Sequence, residues 1–216
     1  MAAVPPPDAA CDETCWFRSS DDVRQGYVRG IEKFDVKPVT YNQIGDMAIF
    51  EGDIALGTDD EMRAVAEAVA GETADAVRAL ANTASPGGEV IHGIGIPGLR
   101  FRWPNGLVPY TVVQPLRNAV NQAIEHFRVN TRIRFVERTA GNAGQFPNWV
   151  SFEQRDGCWS QVGMRGGMQV ISLGAGCESL GVVVHEICHA LGLWHEQSRE
   201  DRDGNVRIVW ANIQAG

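Results

Sequence analysis

The order of periodic segments in this 216-residue chain predicts an α+β fold built on a mixed sheet. Three observations carry that expectation. Strand-like alternation recurs at 107–113, 133–138, 148–154 and 167–174. Residues 114–130 repeat their apolar positions at the helical period. Residues 179–193 form a second, far more apolar helical run. Strand, helix, strands, helix is the order of a layered α+β domain, with α/β the neighbouring alternative.

Residues 1–20 read as irregular, rich in Pro, Asp and small side chains. GTDDEMRAVAEAVAGETADAVRALAN (57–82) reads as helix, with Thr58 or Asp59 as its cap. Met62, Val65, Val69, Ala76 and Leu80 recur at helical spacing, and Gly71 interrupts them. SPGGEVIHGIGIPG (85–98) holds five glycines and two prolines, a linker signature. The boundary falls within 85–102 and divides the chain into 1–93 and 94–216. In the second part, Leu116, Val120, Ile124 and Phe127 mark the buried face of the 114–130 helix. The 179–193 helix ends at or near Gly192.

Hydrophobic residues make up 44% and charged residues 21%, ordinary values for a globular chain. No apolar run reaches the roughly 18–20 residues of a membrane-spanning helix. No basic stripe or basic–aromatic interleaving suggests nucleic acid. The first residues carry neither the basic nor the apolar region of a signal peptide, so the protein is cytoplasmic or a signal has been trimmed. The net charge of −8 is uneven: residues 1–93 hold 7 basic and 17 acidic side chains, residues 94–216 hold 12 and 10. The two parts can attract each other, or both surfaces are simply solvated. Five cysteines (Cys11, Cys15, Cys158, Cys177 and Cys188) fit a secreted protein with one or two bridges, or a cytoplasmic one with none.

The apolar run Leu180, Gly181, Val182, Val183 and Val184 leads into HEICHALGLWH (185–195). On a helix, His185 and His189 point from one face, where one tetrahedral metal ion can take both imidazoles. Glu186 lies about 100° round the helix from His185, within reach of water beside that ion without being a ligand. Gly192 can adopt the left-handed conformation that turns the chain back, and His195 then supplies a third ligand. Three histidines leave a position open, the mark of a catalytic zinc site, with Glu186 placed to take a proton from water. A bare HExxH arises by chance; five fixed positions do so rarely.

HEICHALGLWHEQSR (185–199) resembles the zinc signature of metzincin metallopeptidases, and Glu196 with the three residues after it resembles the astacin family among them. GLVPYTV (106–112) is similar to that family's opening strand, CWSQVGMRGGMQVISLGAGC (158–177) to its cysteine-bounded segment, and DRDGNVRIVWANI (201–213) to the stretch after the signature. The resemblance spans about residues 100–216. It implies an N-terminal metzincin subdomain, a twisted mixed sheet with a backing helix and an active-site helix. It implies a zinc-dependent endopeptidase with one catalytic zinc, ligands His185, His189 and His195, and Glu186 as general base. It also implies a Cys158–Cys177 disulfide, with two reduced core cysteines as the alternative, and Glu196 as the anchor of the N-terminus freed by activation.

AIFEGDIALG (48–57) resembles the prosegment motif FxGD of the same family, which implies that Asp53 ligates zinc in a latent form. Gly52 would let the backbone approach the metal. Residues 1–93 would then be an inhibitory prosegment, removed by a trypsin-like protease between about 85 and 102, with Arg100 and Arg102 as candidate sites. Protein or peptide substrates follow from the family, as does secretion. An extended substrate would add a strand to a sheet edge near 159–163. CDETCW (11–16) is a local disulfide, a pair of thiols or, less simply, a metal contact. Cys188 reads as a small buried hydrophobe.

The family pattern continues to a methionine-containing turn and a tyrosine beside the metal. Here no Met or Tyr follows His195 in the remaining 21 residues, so the C-terminal subdomain is expected to be missing and the underside of the active-site helix exposed. Two rival readings remain. One is a zinc-binding module or fragment without turnover. The other is a metzincin of matrix or snake-venom type, against which Glu196, the 158–177 segment and FEGD all speak.

Overall fold

A computed structural model of the chain describes residues 20–31, 34–71, 95–96, 98–198 and 202–209. Cys11, Cys15, the second half of the 57–82 helix and most of the 85–98 linker lie outside them.

Among the described residues the strands form one nine-stranded sheet in the order β1-β2-β3-β4-β8-β9-β7-β5-β6. The second part supplies β5 (Leu107–Val112), β6 (Arg134–Glu137), β7 (Trp149–Glu153), β8 (Cys158–Ser160) and β9 (Met168–Leu173). There β6, β5, β7 and β9 run parallel, and β8 returns antiparallel to β9, giving the mixed sheet expected. Parallel neighbours need crossovers, and α2 (Arg117–Asn130) is the connection between β5 and β6. A single 3₁₀ turn, Gln114–Leu116, precedes it because Pro115 fits the first turn of a helix but not its interior.

The core lies between this sheet and two helices, α2 and α3 (Leu180–Ala190). Val120, Ala123 and Phe127 of α2 meet Val150, Phe152, Ile171 and Leu173 of the sheet. From α3, Val183 and Ile187 enter the same cluster. Trp103 is also buried there and its indole N–H donates to the Ala190 carbonyl at 2.8 Å, capping an orphan acceptor at the helix end. Cys158 and Cys177 form a buried disulfide with Cα atoms 5.7 Å apart, tying β8 to the approach to α3. Val184 and Cys188 of α3, and Leu191 just after it, are half-buried and pack against the edge of the same cluster.

The first part holds strands that the sequence pattern left unassigned: β1 (Val23–Ile31), β2 (Phe34–Ile44), β3 (Met47–Phe50) and β4 (Ile54–Thr58). They form an antiparallel meander, with a two-residue Gly45–Asp46 turn between β2 and β3. Helix α1 (Asp59–Gly71) follows. It starts two residues later than expected because Gly57 and Thr58 pair with β3. Thr58 is the cap. Its Oγ1 accepts from the Glu61 N–H at 3.3 Å, and the Glu61 carboxylate accepts from the Thr58 N–H at 2.8 Å. The meander joins the second part where Ile54 pairs with Ser160 in parallel. Ile54, Ile96 and Val162 form a shared apolar cluster at that junction, backed by Phe50, Phe101 and Trp194. Residues 95–96, expected in the linker, pack on the second part: the Ile96 N–H donates to the Gly192 carbonyl at 2.7 Å.

Phe152 is fully buried at the centre of the core, whereas Leu99 is 90% exposed. Phe152→Ala is expected to cost about 3–5 kcal/mol, and Leu99→Ala less than about 0.5 kcal/mol. Urea unfolding at pH 7 measures both, and equal losses would show that the core has been misplaced.

Candidate metal centre

Helix α3 buries Val183, Glu186, Ile187, His189 and Ala190, and Ser179 caps its start by accepting from the Val182 N–H at 3.4 Å. His185 and His189, one turn apart, bring their Nε2 atoms to 3.0 Å. The helix then stops in a Schellman turn: Gly192 takes φ 107°, its N–H donates to the His189 carbonyl, and the Leu193 N–H donates to the Cys188 carbonyl. A side chain at Gly192 would strike Arg102 Nη1 at 2.8 Å. The reversal carries His195 back over the helix end, with its Nε2 3.4 Å from that of His185.

From the first part, the turn between β3 and β4 delivers Asp53, which is 1% exposed. Its Oδ2 lies 3.0 Å from His185 Nε2, and its Oδ1 lies 3.0 Å from His195 Nε2 and 3.8 Å from His189 Nε2. One ligand atom from each of Asp53, His185, His189 and His195 falls within 4.8 Å of all the others. Oδ1 is close to His195 but out of line for a hydrogen bond, so it remains an unsatisfied buried acceptor.

This donor set fits a tetrahedral cation. Metal–ligand bonds of about 2.0–2.1 Å place neighbouring ligand atoms about 3.3 Å apart. The two histidine–histidine spacings of 3.0 and 3.4 Å bracket that value. Tautomers agree as well. His189 Nδ1 lies 2.7 Å from the Leu193 carbonyl, which can only accept, so the proton sits on Nδ1 and Nε2 presents its lone pair inward. His195 Nδ1 lies 2.8 Å from Glu51 Oε2, an acceptor of the same kind.

Among the protein groups alone, the charges are strongly coupled. Burial pushes Asp53 up, but the three imidazoles of His185, His189 and His195 around it outweigh burial and hold the carboxyl far below the usual range. Burial opposes the charge on His195, yet Asp53 and Glu51 raise its pKa to about 9. Glu186 is 1% exposed and its Oε2 has no partner. Burial first, then the Asp53 charge, push its pKa well above the carboxylate range. A buried carboxyl shifted in this way beside a ligand cluster marks a candidate functional group.

The fold therefore gathers His185, His189, His195 and Asp53, with Glu186 on the same helix. Glu196 is exposed, at the start of the short turn Glu196–Ser198. Cys188 is half-buried outside the ligand set, and burial raises its thiol pKa. Two residues given no role by the sequence reading join the site. Glu51 holds His195, and Ser198 donates to Glu51 Oε1 at 2.6 Å. The available signal was only that Glu51 precedes Asp53 by two residues. The stretch 159–163, expected to offer a free edge to substrate, is engaged: the Ser160 N–H donates to the Asp53 carbonyl at 3.0 Å and the Gly163 N–H to the His189 carbonyl at 2.8 Å. The chain's own β4 covers that edge, as sheet edges in native proteins are commonly covered.

Comparisons with known proteins place these features in a family. The sequence model of the Astacin peptidase family matches residues 97–216. Zinc metalloproteinase nas-15 of Caenorhabditis elegans is 41% identical over 118 residues, covering 53% of this chain and 20% of that protein. Meprin A subunit beta of Homo sapiens is 42% identical over 126 residues, covering 56% of this chain and 17% of that protein. Among solved structures, high choriolytic enzyme 1, a hatching enzyme zinc-protease from Oryzias latipes (medaka), shares 37% identity with a TM-score of 0.44, over 52% of this chain and 57% of that one. The chain thus spans about a fifth of the length of these two relatives. With a family match over more than half its residues, the chain belongs to the astacin family of zinc metallopeptidases.

Proposed function

We propose that the protein is a zinc-dependent endopeptidase held latent by its first part. The convergence of three imidazoles and Asp53 beside an unpartnered, buried Glu186 supports this reading most strongly. His185, His189 and His195 would hold the zinc, with Asp53 as the fourth ligand of the latent form. When bound, zinc supplies Lewis-acid polarisation of the scissile carbonyl and lowers the pKa of water near it. Glu186 takes the proton of the attacking water and delivers it to the leaving amine. While Asp53 occupies the cluster, water and substrate are excluded from it.

In this reading residues 1–93 are the inhibitory prosegment and 94–216 the N-terminal part of the catalytic domain, with the boundary inside 85–102. A trypsin-like protease would cut there. Arg100 is exposed on a short turn, whereas Arg102 is half-buried against Gly192, which favours Arg100 of the two. Removal of β4 would free the β8 edge for an extended protein or peptide substrate. Glu196 would anchor the new N-terminus, and the protein would act outside the cell, where the Cys158–Cys177 bridge is stable.

Cleavage of a quenched fluorescent peptide library tests the reading. The intact chain is expected to be silent, Asp53→Ala to be active without trypsin, and a zinc chelator to abolish that activity. Adding Glu186→Ala to the Asp53→Ala chain is expected to lower the rate about 10²–10⁴-fold. An Asp53→Ala chain that binds zinc but cleaves nothing, before or after trypsin, favours the zinc-binding module without turnover.

Glu186 also sets a stability trade. Its folded pKa is raised, so the fold favours the neutral acid while the unfolded chain ionises near about pH 4.3. The resulting penalty is absent below that pH and grows as pH rises towards the folded value. In the presence of chelator, Glu186→Gln is expected to unfold at the same urea concentration as the parent at pH 4 and at a higher one at pH 8. A lower midpoint at pH 8 would mean that the carboxylate is satisfied in the fold.

A further inference from the structure

The turn between β3 and β4 carries a second carboxylate that the proposed reaction does not use. Glu51 has φ 52°, in the left-handed region where a non-glycine residue is uncommon. Such an outlier persists where its surroundings over-determine it. The Glu51 side chain reaches into the second part of the chain: Oε2 accepts from His195 Nδ1 at 2.8 Å, and Oε1 accepts from the Ser198 hydroxyl at 2.6 Å. Asp53, two residues on, meets Nε2 of the same ring. One turn of the first part therefore grips both nitrogens of one buried histidine.

Two of the three ligands are supported differently. His189 is oriented by the Leu193 carbonyl, four residues away on the same stretch of chain. His195 is oriented by Glu51, which lies 144 residues earlier in sequence. A metal-ligating imidazole needs its outer nitrogen protonated and directed so that the inner lone pair faces the metal. For His195 that requirement is met from the segment expected to leave on activation.

We propose that Glu51 is a positioning residue for His195: it fixes the ring's tautomer and direction in the latent chain and, with Asp53, makes that chain a tight holder of zinc. The inference rests on the reading of the three histidines and Asp53 as the latent zinc site. Ser198 steadies Glu51 from the side of the second part. Processing would remove both carboxylates together, so the outer nitrogen of His195 would change partner on activation.

The test is the rate at which the intact, zinc-loaded chain gives up Zn2+ to a chromophoric chelator, which needs no catalysis. Glu51→Gly removes the carboxylate and leaves a residue at ease with φ 52°. It is expected to release zinc about 10–100-fold faster. Glu51→Gln keeps a carbonyl oxygen for Nδ1–H and is expected to restore most of the slow release. Ser198→Ala is expected to accelerate release to a smaller extent. A thermal melt of the metal-free chains separates lost positioning from misfolding, and the Gln and Ala variants carry the test if the Gly chain melts early. Release from Glu51→Gly at the parent rate, or from Glu51→Gln as fast as from Glu51→Gly, overturns the proposal. Asp53→Ala run alongside separates the two levels. If it speeds release and Glu51→Gly does not, only the role of Glu51 falls. If Asp53→Ala leaves the rate unchanged, the latent-ligand reading falls with it.

Discussion

Three imidazole nitrogens facing one another at 3.0 and 3.4 Å, with a buried carboxylate between them, need positive charge at their centre. In the protein groups alone the demand shows as the raised pKa of His195 and the depressed pKa of Asp53. A divalent cation meets the same demand with better geometry, because it draws on every lone pair at once. Much of the surrounding structure serves to bring those groups together. The Ser179 cap starts α3, Trp103 ties its last turn to the core, and the reversal at Gly192 returns His195 over the helix end.

That concentration of charge is supported by an apolar layer directly beneath it. Val183 and Ile187 anchor α3 in the core, so the helix backbone, and not a polar partner, holds Glu186 in place. Glu186 Oε2 has no hydrogen bond. An unsatisfied buried carboxyl is destabilising by itself. The well-packed interior of sheet, α2 and α3 offsets a site that works against stability.

The first part extends the sheet across the site. Its meander enters through the Ile54–Ser160 pairing and the apolar contact of Ile54 with Ile96 and Val162. A strand added to the β8 edge fixes where the preceding turn must lie, and that turn carries both Asp53 and Glu51. Main-chain pairing supplies the register, apolar burial the attraction, and the two carboxylates the fit to the histidines. The β8 edge thereby seats the first part.

What the sequence by itself determined is what local spacing encodes. His185 and His189 share a helix face because four residues make about one turn. Gly192 forecast the reversal because few other residues tolerate its backbone conformation. The strands of the second part and the buried face of α2 were readable from periods of two and of three to four residues. The resemblance to a family motif added Asp53, which spacing could not connect to a site 132 residues away. Only the tertiary structure decided the rest. Strands β1 to β4 alternate weakly, and their pairing depends on partners distant in sequence. The 159–163 edge is covered because another strand arrives there, which no local pattern of β8 announces. Glu51 reads as an ordinary surface acid until the β3–β4 turn carries it to His195. Burial, the shifted Glu186 carboxyl and the tautomers of His189 and His195 are collective properties, set by every group that surrounds the site at once.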